Sequence, residues 1–173
     1  VASSGRSVTA AINGSVGSLN PAGRTVVTDA AGLATFQTLT VSGPAGSYSL
    51  LFSTTGLTPD VSANFDITAG SATQMTATSA TSQSATVGTT VAAPPTVLVR
   101  DAQNNPVAGV AVTFQVTAGG GALNGGAAVT DNNGVAAVTS WTLGPVAGAN
   151  TVTASASGLP TVTFNATGTA GAA

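Results

Sequence analysis

The sequence predicts an all-β protein of the sandwich or barrel type, built as two tandem copies of one unit, and three observations carry that reading. The residues that sustain helices through long charged side chains are missing, since the chain of 173 residues holds neither lysine nor glutamate while Thr, Val, Gly and Ser abound. Apolar residues recur at period two over short runs, and Gly, Pro, Asn and Asp bound those runs at a spacing of roughly 8 to 12 residues. The order of the runs then returns roughly a hundred residues later, the self-similarity expected of a repeated structural unit.

The strongest pair of runs lies between Pro94 and Phe114. Val97 and Val99 alternate with Leu98 and Arg100, and Val110, Val112, Phe114 and Val116 line one face of a second strand. Between them Asp101, Asn104 and Asn105 can bond their own backbone, Pro106 fixes φ, and Gly109 permits a bend. Earlier in the chain, alternation predicts a strand over residues 8–12, a turn-rich stretch over 14–23, and further strands over 24–29, 33–41, 48–53 and 61–67. In the last of these Val61, Ala63, Phe65 and Ile67 share a face.

The repeat is explicit. VTAAINGSVGSLN from Val8 matches VTFQVTAGGGALN from Val112, and VTDAAGLATF from Val27 matches VTDNNGVAAV from Val129, which sets Asp29 on Asp131 and Gly32 on Gly134. STTGLTPDVSANF from Ser53 matches SASGLPTVTF from Ser155 with a short insertion, setting Phe65 on Phe164. Domains over 1–69 and 70–173 follow, joined near Ala69 to Ala72. Residues from about Ser71 to Asn104 have no partner in the first copy, so the first domain is expected to lack its early strands, including the strand of Val97 to Asp101.

Composition removes several classes of function. Three arginines (Arg6, Arg24, Arg100) and five aspartates (Asp29, Asp60, Asp66, Asp101, Asp131) are the whole charge, 5% of residues. Three scattered arginines cannot neutralise a nucleic-acid backbone or hold an anionic membrane. No apolar run reaches the roughly 18 to 20 residues of a membrane helix. Without histidine or cysteine there is no thiol nucleophile, no disulfide, no imidazole base and no zinc set, and without lysine there is no Schiff base or lysine crosslink. An enzyme would need an Asp-only mechanism. Residues 1–12 do not read as a signal peptide, so an exported protein would be represented here by a mature or excised portion. So little charge is far below the roughly 25 to 35% recommended for a freely soluble surface, as expected if much of it is covered by an assembly or by glycan.

A few residues invite chemistry, and each has a plainer reading. Trp141, the only tryptophan, could stack a sugar, but its counterpart Leu39 reads as core and the core reading is favoured. Asp131, Asn132, Asn133 and Gly134, with Asp101 as a further oxygen, resemble part of a calcium loop; calcium needs roughly six to eight oxygens, and an aspartate bonding its own turn explains the pattern with less. Asp60 and Asp66 stand at either end of a predicted strand with no second group to make an acid and base pair. Asn13-Gly14-Ser15 and Asn165-Ala166-Thr167 fit the glycosylation pattern, which arises easily by chance in a chain rich in Ser and Thr. No catalytic, cofactor-binding or metal-binding residue is assigned.

LVRDAQNNPVAGVAVTFQVTAGGG, TDNNGVAAVTSWTLGPVAGANTVTASASG and TVTFNATG together resemble the bacterial immunoglobulin-like domains of group one, found in tandem in invasin and intimin. The likeness covers Ser71 to Ala173 and, more weakly, Val1 to Ala69. It implies tandem Ig-like antiparallel β-sandwiches, the first incomplete at its N-terminus, outside the cell, with no cofactor and no catalytic residue. The expected role is a non-enzymatic unit of a cell-surface stalk, adhesin or filament, with the short connection at Ala69 to Thr73 setting the angle between domains. The expected partners are copies of itself or neighbouring Ig-like domains and a possible cell-surface ligand. In one version the chain is an excerpt of a longer array; in another a neighbour's strand completes the first domain, which polymerises the protein. The alternative is a carbohydrate- or receptor-binding module using loops of the second sandwich.

Overall fold

Alternate burial along each strand sets the layers. In the strand Thr96–Arg100 the inward Val97 and Val99 are wholly buried, while Thr96, Leu98 and Arg100 keep partial exposure. The computed structural model describes residues 3–21 and 23–171, and the chain divides into two compact units, Val1–Thr68 and Ala69–Ala173.

The second unit is a sandwich. β9 (Gln74–Ala77), β11 (Thr96–Arg100) and β15 (Val135–Ala137) form one sheet in the order β15-β11-β9. Facing it is a five-stranded sheet in the order β10-β18-β17-β12-β14, from β10 (Ser82–Thr86), β12 (Ala111–Ala118), β14 (Ala127–Val129), β17 (Gly148–Ser155) and β18 (Val162–Thr169). β13 (Ala122–Asn124) pairs with β16 (Ser140–Thr142). Every pairing is antiparallel except that of β10 with β18. Met75, Val97, Val99, Val112, Phe114, Val138, Trp141, Leu143, Val152 and Phe164 form one buried cluster between the sheets. Each large side chain so buried contributes about 1.5 to 3 kcal/mol, which is what holds short strands of low charge together.

The turn between β11 and β12 follows the chemistry read from the sequence. Asp101 accepts hydrogen bonds from the backbone of Gln103 and Asn105, at 2.9 and 2.8 Å. Asn104 stands at φ 65°, and Gly109 at φ 78°.

The first unit repeats half of this plan. β1 (Ser7–Ile12), β3 (Thr25–Val27), β6 (Leu50–Ser53) and β7 (Asp60–Val61) form a sheet in the order β3-β1-β6-β7, while β2 (Ser18–Asn20) pairs with β4 (Thr40–Ser42) and β5 (Gly46–Tyr48) with β8 (Phe65–Ile67). The registers match those of the second unit. Ala10 opposes Phe52 where Phe114 opposes Ala154, so one large and one small residue exchange sides of the same pair.

Four expectations are corrected. Residues 33–41 do not form a strand: only Thr40–Ser42 does, because the partner of the matching β15 is β11, and no described residue of the first unit supplies a β11. The expected strand over 61–67 is broken into β7 and β8, and that over 48–53 into β5 and β6. Phe65 does not occupy the place of Phe164. It opposes Tyr48, which holds the position of Asn150, and Asn150 opposes Ala166; one residue more between β7 and β8 shifts the match.

Candidate functional site

The aspartates serve turns. Asp131 Oδ1 accepts the N–H groups of Asn133 and Val135, both at 2.9 Å, and Asp29 Oδ1 accepts those of Ala31 and Leu33 at 2.8 and 2.9 Å. The two copies thus make the same turn with and without the asparagines. The bond from Val135, helped by those from Asn133, holds the Asp131 carboxyl below the usual carboxylate range against a smaller opposing effect of burial. Asp101 is deeper. Burial would raise its pKa, but the Asn105 side chain and the backbone N–H groups of Gly70, Asn105 and Gln103 together bring it down to about 2. Its Oδ2 accepts from Gly70 at 2.8 Å and from Asn105 Nδ2 at 2.9 Å. These oxygens are committed to structure, and no three acidic or metal-ligating side chains cluster among the described residues.

Trp141 lies in the core with no exposure, opposite Leu123, and its Nε1 has no hydrogen-bond partner. A sugar cannot stack on it. Leu39, the counterpart expected from the sequence, is half-buried and does not hold that place: Val41 opposes Leu19 as Trp141 opposes Leu123, because two more residues lie between Gly32 and β4 than between Gly134 and β16. Asp60 on β7 faces Phe52, and Asp66 on β8 faces Ser47 in another sheet. Asn13 and Asn165 are both exposed, but Asn13 Nδ2 donates to Ser49 Oγ at 3.0 Å, and Asn165 sits inside β18 with β10 and β17 on either side. A shallow cavity of about 320 Å³ is lined by Asn13, Val16, Pro44 and Tyr48, yet Tyr48 is buried and its hydroxyl donates to the Pro44 carbonyl at 2.7 Å, leaving no stacking platform.

What stands out is the open side of the first unit. Residues 33–37 carry the sequence that matches β15 but pair with no strand among the described residues. Ala34 and Phe36 are half-buried, whereas Ala136 and Val138 are 1% and 4% exposed. Leu33 and Leu57 are 61% and 57% exposed. Thr38 takes φ 56°, a conformation that β-branched residues avoid, two residues before β4, whose Thr40 opposes Asn20 as Ser140 opposes Asn124. Beside this edge is a cavity of about 280 Å³ lined by Val8, Thr28, Gly32, Thr54 and Leu57. The residues at matching positions of the second unit include Val112 of the core, and Ala156 and Leu159 packed against it. The sequence indicated this site through the unmatched stretch from Ser71 to Asn104.

Two sheets with this strand order and register define an immunoglobulin-like β-sandwich. Residues 92–169, within the second unit, match the model of the bacterial Ig-like domain (group 1). No curated protein matches the chain. Among solved structures it is similar to InvD of Yersinia pseudotuberculosis, with 18% identity and a TM-score of 0.50 over 96% of this chain and 48% of that one. It is also similar to the Yersinia pseudotuberculosis adhesin InvE, at 20% identity and TM-score 0.46 over 95% and 49% of the two chains. A β-glycosidase from Bacteroides vulgatus is similar too, at 14% identity and TM-score 0.47 over 93% and 21%. The chain therefore spans about half the length of the two Yersinia proteins and about a fifth of the glycosidase. At these identities the likeness is one of fold, and function has to be argued from this chain's own residues.

Proposed function

We propose that the protein is a non-enzymatic structural segment of a bacterial surface protein of the adhesin type, in which Ig-like units joined in one chain act as a stalk. The observation that carries this is the closure of the second unit. Its early strand β10 runs parallel to its last strand β18, from Ser82 opposite Asn165 to Thr86 opposite Thr169. The ladder is flanked by bonds from Asn165 to the Thr81 carbonyl and from Val87 to the Thr169 carbonyl, each 2.9 Å. Tension between the ends of the unit pulls these two parallel strands along their length in opposite directions. The bonds of the ladder then share the load instead of opening one by one, which suits a spacer.

Supporting the reading, the carboxylate oxygens of Asp101 and Asp131 accept backbone N–H groups, and Asp60 and Asp66 lie opposite Phe52 and Ser47 in separate sheets. The stacking residue that a carbohydrate-binding alternative relied on, Trp141, is in the core. Partners of a stalk unit are neighbouring Ig-like domains, and a filament completed by strands passed between chains is a narrower form of the same reading. The test is antibody raised against residues 1–173 and applied to the source bacterium. Labelling of intact cells that disappears after protease treatment of the cell surface is expected; labelling only after permeabilisation overturns the surface role.

A further inference from the structure

We infer that Asn13 is a site of spontaneous deamidation, at which the backbone nitrogen of Gly14 closes on the Asn13 side chain and an uncharged loop acquires a carboxylate. This goes beyond the stalk reading and does not depend on where the protein resides. Asparagine followed by glycine is the pair most open to this reaction, because glycine puts no side chain in the way of its own nitrogen and lets the peptide rotate freely. The chain has three such pairs, Asn13-Gly14, Asn124-Gly125 and Asn133-Gly134. All three asparagines are exposed, so exposure alone does not separate them.

The surroundings of each glycine do. Gly134 is buried, its N–H donates to the Asp131 carbonyl at 2.9 Å, and the Asn133 N–H donates to Asp131 Oδ1 at 2.9 Å. A nitrogen held in that turn cannot swing onto the Asn133 amide without breaking the turn. Asn124 ends β13 opposite Ser140, its carbonyl accepts the Thr139 N–H at 2.8 Å, and a Cβ on Gly125 would stand 3.0 Å from Thr139 Oγ1. The peptide that has to rotate is therefore fixed from the side of β16. Gly14 has neither restraint. It is exposed just beyond β1 at φ 134°, and no described atom apart from its chain neighbours lies within 4 Å of where its Cβ would be.

Asn13 itself is held on its other side. Its N–H donates to the Ser49 carbonyl at 3.0 Å and its Nδ2 donates to Ser49 Oγ at 3.0 Å, so the fold grips the leaving nitrogen and leaves the carbon under attack open. In the reaction the Gly14 nitrogen loses its proton to solvent base and bonds to Asn13 Cγ. The bond from Cγ to Nδ2 breaks, and that nitrogen takes up a proton from solvent and departs as ammonia. Water then opens the ring at either carbonyl, leaving aspartate or isoaspartate. The residues lining the adjoining cavity, among them Val16, Pro44 and Tyr48, are uncharged, so the new carboxylate is the first charge at its rim.

The test holds the full chain in mildly alkaline buffer, with a parallel sample in urea, and follows each pair over time by peptide mass spectrometry. Expected in the folded sample is conversion at Asn13 ahead of Asn124, with Asn133 unchanged; in urea all three should convert at similar rates. Asn13→Gln, whose longer side chain closes a less favoured ring, should remove the early acidic species from isoelectric focusing and leave the other two time courses as they were. Conversion of Asn124 or Asn133 before Asn13, or none at Asn13 in the folded chain, overturns the proposal. The same order of rates in urea as in buffer also overturns it, because the sequence and not the fold would then set them. None of these results bears on surface labelling of cells, so failure here and failure of the stalk reading are separate.

Discussion

Leu33 and Val135 hold the same place in two copies of one turn, yet Val135 lies opposite Leu98 of β11 and Leu33 opposes no strand of the described residues. Both donate their N–H groups to an aspartate Oδ1 at 2.9 Å. The turn is therefore a property of the local sequence, and the strand after it is a property of having a neighbour. Where the neighbour is present, Val135–Ala137 is β15; where it is not, Leu33 is 61% exposed.

That contrast predicts unequal stability. Among the described residues the buried apolar side chains of the first unit are Ala10, Leu19 and Tyr48, whereas the second unit has a continuous cluster from Met75 to Ala166. In a urea titration, tyrosine emission should report an earlier transition than tryptophan emission, with a shallower slope because less surface is exposed on unfolding. Coincident midpoints would mean that the two units unfold as one.

The Thr130 hydroxyl is a second point of test. It accepts from the Val110 N–H at 2.9 Å and donates to the Val107 carbonyl at 2.8 Å, and the residue is 4% exposed. Thr28 does the same with Arg6 and Ser3, at 3.0 and 2.8 Å. Thr130→Val keeps the shape and removes both bonds, leaving the part-buried Val110 N–H and Val107 carbonyl without this partner. A loss of about 1 to 3 kcal/mol is expected in the tryptophan-reported transition, with the tyrosine-reported one unmoved.

The acid limb of stability should be set in part by Asp101. Its carboxyl falls from the ordinary aspartate value of 3.8 to about 2 in the folded unit, so the charged form is the one the fold favours. A depressed acid of this kind adds stability above its unfolded value, and the contribution drains away as pH falls from about 4 through about 2. Melting temperature measured across that interval should fall in the native chain. In Asp101→Asn the curve should start lower and flatten over the same interval; an unchanged slope would show that Asp101 does not carry it.

Much of this was legible in the residues because it is local. Period-two valines, the aspartate turns at Asp29, Asp101 and Asp131, and the gap-free match of Val8–Asn20 with Val112–Asn124 each need only a few neighbours in the chain. Trp141 was readable as core for a related reason, since a large aromatic in a small sandwich has few other places to go. The candidate site was visible only as an absence, the stretch from Ser71 to Asn104 with no earlier partner.

Tertiary pairing decided what local pattern could not. Residues 33–39 alternate as well as many strands do, yet a strand's backbone groups are satisfied across the sheet, so an alternating run without a partner does not become one. The shift that puts Phe65 opposite Tyr48 came from one additional residue between β7 and β8, which a matching of letters absorbs as a gap. The sequence by itself determined the all-β class, the turns and the repeat, because these depend on side-chain alternation and on bonds between residues close in the chain. Which runs became strands, and which edge was left open, depended on contacts between residues far apart in it.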